Sequence, residues 1–189
     1  MALAAMALAG CSPRRSADAA KRKAAARQDS TVYARIEKAG ADSICVTLLA
    51  DGSKLTIGVA DALGSRAMAG GLATGDTLAM MLTGDKRSLA AGVNMSQLVG
   101  LWLCDDGSGN GLRLAGDGAA STVGTERVTL RTWRIENGRL VITYIAPDGT
   151  DYKERPARTR IVRLTADSLK VELNDTVRGY SRSTDLLTI

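Results

Sequence analysis

Residues 129–145, which read TLRTWRIENGRLVITYI, decide the fold of this chain. Asn137-Gly138 lies at the centre of the stretch and favours a type I′ turn, because both central positions of that turn require positive φ. Side chains alternate across a β-strand, so residues two apart share one face. The apolar residues keep this spacing on both sides of the turn: Trp133, Ile135, Leu140, Ile142 and Tyr144. The stretch therefore predicts a β-hairpin with one buried face.

The same turn predicts the register of the hairpin. It places Trp133 opposite Ile142 and Arg131 opposite Tyr144, so that Arg131 joins the apolar face near its end. An interior lined by aromatic and aliphatic groups with one cation suits an apolar or amphipathic acid. Arg131, Trp133 and Tyr144 are therefore the candidate ligand-binding residues. The alternative is a packed core with Arg131 at its rim, which the 3% aromatic content and the absence of Phe favour.

Further strand signals surround this stretch in residues 96–189. Thr159–Leu173 predicts another hairpin and Thr176–Arg182 a final strand, while Gly100-Leu101-Trp102 opens the unit. The GxW start, the run of antiparallel hairpins and the late arginine resemble lipocalin-like barrels. The resemblance implies that Trp102 closes the barrel floor and that Arg182 stacks across its ring. Both roles are structural, the stack being a cation–π contact.

Residues 30–95 carry shorter strand signals, which predicts a separate, smaller β module. The predicted elements are strands at Thr31–Lys38, Ser43–Leu49 and Lys54–Val59, a helical segment at Ala60–Met68, and strands at Thr77–Leu82 and Leu89–Val93. Three strands, a short helix and two strands follow the order of an OB-type barrel. The predicted fold class is all-β, with an N-terminal five-stranded OB-like barrel followed by a C-terminal antiparallel lipocalin-like barrel.

Residues 1–10 contain only Ala, Leu, Met and Gly, which is typical of a secretory signal and too short to span a bilayer. Leu8-Ala9-Gly10-Cys11 resembles the lipobox of bacterial lipoproteins. The resemblance implies cleavage before Cys11 and acylation of its sulfur, which makes the lipid bilayer a partner. The alternative is an Ala-rich helix with a buried cysteine. The residues that follow Cys11 are basic, which favours an outer-membrane location facing the periplasm.

The net charge of +5 lies between Cys11 and Gln28, within the predicted tether of residues 11–29. Its charged side chains before Gln28 are Arg14, Arg15, Asp18, Lys21, Arg22, Lys23 and Arg27, and residues 29–189 are neutral overall. Such a segment is typical of a solvated spacer, with attachment to anionic headgroups as the alternative. Nucleic acid is not a predicted partner, because the folded part has no net positive field.

The chain contains no histidine, which excludes Ser-His-Asp and Cys-His catalysis and most zinc sites. It has no P-loop and no GxSxG motif, and no pair of acids stands out for carboxylate chemistry. Cys45 and Cys104 fall in apolar strand segments without CxxC spacing, so we interpret them as buried thiols, with a disulfide as the alternative. We therefore predict a protein that is not an enzyme and needs no cofactor.

One stretch follows calcium-loop spacing. Asp106, Ser108 and Asn110 occupy alternate positions, Gly111 follows, and Asp117 stands at the twelfth position. Oxygen ligands at alternate positions with a glycine for the turn are what Ca²⁺ requires. A glycine-rich loop between strands produces the same spacing by chance, however, and strands rather than helices flank this one. No metal site is predicted beyond this candidate.

The whole chain resembles small Gram-negative envelope lipoproteins that pair an OB-like module with a lipocalin-like one. Envelope-stress and copper-homeostasis lipoproteins are similar but have the opposite domain order and a CxxC pair, which this chain lacks. The predicted function is non-enzymatic binding of a small hydrophobic or amphipathic ligand or a cell-envelope component. The alternative is an interaction or inhibitor module that acts on another envelope protein.

Overall fold

The computed structural model describes residues 28–125, 128–148 and 151–184. The predicted signal segment 1–10, Cys11 and the basic part of the tether lie outside these ranges. Within them, none of the helices has the length and apolar character needed to cross a membrane.

A first sheet is built from residues 32–94. Its strands are β1 (Val32–Ala39), β2 (Ser43–Leu48), β3 (Lys54–Gly58), β4 (Met68–Ala69), β5 (Thr77–Leu82) and β6 (Leu89–Asn94), in the spatial order β3-β2-β1-β5-β6-β4. The pairs are antiparallel except for β4 with β6. A parallel bridge joins Gly58, at the end of β3, to Ser88, just before β6. The strands thereby enclose a core that includes Ile36, Val46, Ile57 and Met80.

The helical segment of this module is shorter than predicted. Helix α1 spans Ala60–Gly64, whereas we expected Ala60–Met68. The helix ends because Arg66 takes a φ of 57°, a left-handed conformation typical of helix C-termini. The amide of Ala67 then donates to the carbonyl of Ala62 at 2.8 Å. The chain leaves as β4, a sixth strand that the sequence analysis did not predict.

An eight-stranded antiparallel sheet follows. Its strands are β7 (Gly100–Cys104), β8 (Gly111–Leu114), β9 (Ala120–Val123), β10 (Thr129–Glu136), β11 (Arg139–Asp148), β12 (Asp151–Leu164), β13 (Ser168–Leu173) and β14 (Thr176–Ser183). The spatial order is β10-β11-β12-β13-β14-β7-β8-β9. Asn137 and Gly138 take φ values of 49° and 73°, and Trp133 pairs with Ile142. The predicted turn and the register next to it are confirmed.

The two ends of this sheet approach each other and nearly close a barrel. Ala119, before β9, bridges Thr132 of β10. The amide of Trp133 donates to the carbonyl of Gly118 at 2.8 Å, and the Leu130 amide donates to the Thr122 hydroxyl at 3.0 Å. The sheet is thus a nearly closed all-β barrel, in which these hydrogen bonds join the two edge strands.

Helix α2 (Met95–Leu98) joins the module to the barrel and crosses the predicted boundary between residues 95 and 96. Asn94 caps the helix by accepting from the Gln97 amide at 2.9 Å. The buried Asn94 amide group also donates to the Gly71 carbonyl and to Asp76, each at 2.7 Å. A buried polar side chain with all these partners holds the linker in one position.

The N-terminal module packs against the turn end of the β10–β11 hairpin. The Tyr33 hydroxyl donates to the Ile135 carbonyl at 2.9 Å, and Ser30 donates both its amide and its hydroxyl to the Asn137 side chain. Burial raises the pKa of Tyr33, and the charge of Asp29 adds to this effect. The phenol is therefore a neutral donor at physiological pH.

We predict that Gly100→Ala destabilises the protein by about 2 kcal/mol, which lowers Tm by about 4–8 °C. Gly100 has a φ of 150°, and an added Cβ would overlap the guanidinium of Arg182. Thermal unfolding followed by circular dichroism measures the change. The matched control is Gly116→Ala, because a Cβ at Gly116 meets nothing within 4 Å. Equal Tm values for the two variants would contradict the prediction.

Candidate functional site

The barrel contains a cavity of about 460 Å³. Its wall is formed by inward side chains from β8 and from β10 to β14, and most of them are apolar. They include Leu130, Leu140, Ile142, Tyr144, Leu169, Val171 and Tyr180. Alternation along each strand explains this lining, since residues two apart point to the same side of the sheet.

Small residues in the wall leave the space open. Ala157 and Thr159 face inward on β12, and Gly111 does so at the start of β8. Gly111 has no room for a side chain, because a Cβ there would overlap the carbonyl of Trp102. The Thr159 hydroxyl donates to the Leu140 carbonyl at 3.1 Å, so its polar atom is satisfied within the wall. The wall thus combines large apolar side chains with small ones, such as Ala157 beside Ile142.

Trp102 lies at the floor of the barrel and is fully buried. Its indole N–H donates to the Leu98 carbonyl at 2.8 Å. The guanidinium of Arg182 lies over the ring, 4.2 Å from its centroid. The structure therefore brings together the two residues for which the sequence resemblance implied a stack.

Arg182 also donates to three backbone carbonyls. Its guanidinium binds the carbonyl of Val99 at 2.9 Å and those of Gln97 and Ala166. Burial lowers the pKa of Arg182, and the charge of Asp167 opposes this effect. An arginine stays protonated under such a shift, so the contact is a permanent cation–π and hydrogen-bond clamp.

Of the three candidate ligand residues, only Tyr144 lines the cavity. Trp133 is 4% exposed and belongs to the packed core, where its indole N–H donates to the Ala115 carbonyl at 2.8 Å. Trp133 thus follows the packed-core alternative that the sequence left open.

Arg131 does not join the apolar face, and its predicted register is wrong. A bulge between Leu130 and Thr132 shifts the pairing, so that Leu130 rather than Arg131 lies opposite Tyr144. The Arg131 side chain is 56% exposed and lies 3.8 Å from Glu154. It takes no part in the cavity wall.

The sequence analysis missed the cation that does line the cavity, Arg178 on β14. Thr176, Arg178 and Tyr180 all belong to the wall and alternate along this strand. The signal was present in the sequence, because Arg178 stands four residues before Arg182 and so shares its face. The aromatic residues of the β10–β11 hairpin carried the stronger pattern, so Arg178 was not among the predicted ligand residues.

The calcium candidates are not brought together. Asp106, Ser108 and Asn110 lie in the loop before β8, whereas Asp117 lies in the turn after it, about 13 Å further along. Each carboxylate accepts a hydrogen bond within its own turn. Asp106 accepts from the Ser108 amide and Asp117 from the Ala119 amide, both at 2.9 Å. In the described part of the chain, no cluster of three or more acidic or thiol groups could hold a metal.

Cys45 and Cys104 are half-buried rather than buried, and they do not form a disulfide. Cys45 lies on β2 of the first module, where its sulfur is 3.7 Å from the Thr56 hydroxyl, and Cys104 lies on β7 of the barrel. The disulfide alternative is therefore not realised in this structure.

Comparison with known proteins shows what the barrel is similar to. Residues 94–183 match the lipocalin-like family. The C-terminal barrel is therefore similar to lipocalin-like domains. A lipocalin-like protein from Bacteroides thetaiotaomicron VPI-5482, known from a crystal structure, is 25% identical; the match covers 46% of this chain and 97% of that one, with a TM-score of 0.41. Curated protein sequences provide no match to the chain.

We predict that Arg182→Lys destabilises the protein by about 1–2 kcal/mol, because an ammonium cannot stack on Trp102 and reach three carbonyls at once. Urea unfolding followed by tryptophan fluorescence measures the loss. Arg160→Lys is the control, since Arg160 is 57% exposed and binds Glu172 on the outside of the barrel. We expect a change below about 0.5 kcal/mol there. An equal effect of the two substitutions would refute the clamp.

Proposed function

We propose that the protein is a non-enzymatic envelope lipoprotein whose lipocalin-like domain binds a small hydrophobic or amphipathic ligand. The observation that carries the proposal is the cavity of about 460 Å³, whose wall is largely apolar. Ligand sites of proteins are commonly about 300–1,000 Å³ and apolar, with a few polar groups that orient the ligand. The cavity has both properties.

We further propose that the N-terminal module is OB-like. The strand order β3-β2-β1-β5-β6 and the parallel bridge between Gly58 and Ser88 support this assignment. So does the position of α1 between β3 and the next long strand, β5. An OB-like module often binds along an open sheet face, but here part of one face is covered. Gly138 of the barrel lies against Ala91 and Met81 of this sheet.

The ligand proposal predicts a rise in Tm when the chain meets a suitable amphiphile. At about a hundredfold excess over Kd we expect a rise of about 5–10 °C. Ala157→Phe should abolish the rise, because Ala157 is a cavity wall residue and a phenyl ring would occupy the space. Lys170→Phe is the matched control, since Lys170 is exposed on the outer face of β13.

Native mass spectrometry of the protein isolated from bacterial envelope tests the same proposal without a chosen ligand. A discrete adduct that unfolding releases would support a carrier. A clean apo mass, together with no Tm rise across fatty acids and bile-acid-like amphiphiles, would overturn it. That result would favour the interaction-module alternative, for which pull-down from solubilised envelope is the direct experiment.

The lipid anchor is a separate proposal that rests on the Leu8-Ala9-Gly10-Cys11 motif. We predict that Cys11→Ser moves the protein from the membrane fraction to the soluble fraction and abolishes labelling by a radioactive fatty acid. Cys45→Ser should leave both unchanged, because Cys45 lies within the folded module. Labelling that persists in Cys11→Ser would disprove acylation at this residue.

A further inference from the structure

The cavity has a charged end and an apolar end. Arg178 is the one charged residue among the described residues that line it. It lies on β14 four residues from Arg182 at the floor, a distance of about 13 Å along an extended strand. Apolar side chains such as Leu140 and Leu169 fill the wall nearer the floor and are fully buried, whereas Arg178 is exposed. The cation therefore lies at the mouth.

Strand β12 adds positive charge at the same end. Arg155 lies directly opposite Tyr144, and Lys153 lies opposite Ala146. Directly opposed residues of antiparallel strands share a face, and Tyr144 is a cavity wall residue. Both cationic residues are exposed. The register thus places them on the inner face of the barrel rim, beyond Ala157.

Two acids, Asp106 and Glu154, lie next to these cations in the structure or in the sequence. Asp106 lies near Arg178, but its carboxylate is already held by the Ser108 hydroxyl and amide, which with a smaller contribution from Arg178 lower the pKa of Asp106. Glu154 forms its ion pair with Arg131 outside the barrel. A guanidinium offers five N–H donors, so Arg178 can interact with Asp106 and with a ligand together.

We propose that the cavity is specific for an amphiphile with an anionic head. The tail occupies the apolar space above Trp102, and the head lies at Arg178 in the field of Arg155 and Lys153. This inference rests on the proposed ligand-binding function and adds the ligand's charge and orientation to it. A guanidinium recognises carboxylate and phosphate oxygens in the same way. The ligand we propose therefore has one apolar tail and an oxyanion head, either a planar carboxylate or a tetrahedral phosphate.

The test is calorimetric titration of the full chain with dodecanoate and with dodecan-1-ol, which share a tail and differ in charge. We expect dodecanoate to bind at least about fivefold more tightly, the difference falling as salt is raised. Arg178→Ala should remove most of that preference, and Arg178→Lys should restore part of it. Arg131→Ala is the matched control, because it deletes an exposed arginine outside the same barrel. Dodecyl phosphate in place of dodecanoate separates carboxylate from phosphate recognition.

Three results decide the matter. A preference for the anion that Arg178→Ala removes and Arg131→Ala keeps establishes the inference. Equal binding of the acid and the alcohol, unchanged in Arg178→Ala, overturns the anionic head and leaves the ligand-binding proposal standing. Binding of neither compound to a chain with its normal Tm overturns both, because the cavity then takes no single-tailed amphiphile.

Discussion

The closed end of this molecule depends on the contact between Arg182 and Trp102. One guanidinium covers the indole face and binds carbonyls from α2, from the segment before β7 and from the β12–β13 turn. A flat, delocalised cation with several N–H donors suits this position, because its face and its edge can be used together. The contact joins the first strand of the barrel to the last and both to the linker. The cavity lies above this closed floor.

The sequence predicted the hairpin register well near the turn and poorly away from it. Asn137 and Gly138 impose their geometry locally, so the pairs from Glu136 back to Trp133 follow from turn chemistry alone. Beyond Thr132, strand β10 also contacts β9 on its other side. The Thr122 hydroxyl of β9 donates to the Val128 carbonyl and accepts from the Leu130 amide. A bulge set by contact with a strand on the other side cannot be read from the hairpin's own residues.

The cavity was harder to predict than the barrel. Apolar alternation indicates which face is buried, but it does not distinguish a filled interior from an open one. That distinction depends on where small wall residues such as Ala157 lie among the larger ones, and these neighbours are distant in sequence. Arg178, by contrast, could have been predicted, because it lies four residues from Arg182 on one strand and therefore on the same face. The short α1 was mispredicted because Arg66 adopts positive φ without being a glycine.

The N-terminal module covers one end of the barrel, so the two ends of the barrel differ. Ser30 contacts the Asn137 turn, and α2 lies beneath Trp102, so the module covers the sealed pole of the barrel. Gln28, the first residue that the structure describes, lies at that pole beside Asn137, while Arg178 marks the opposite one. The cavity therefore opens on the side of the barrel that faces away from the N-terminal module. Any molecule that entered this cavity would do so without passing the N-terminal module.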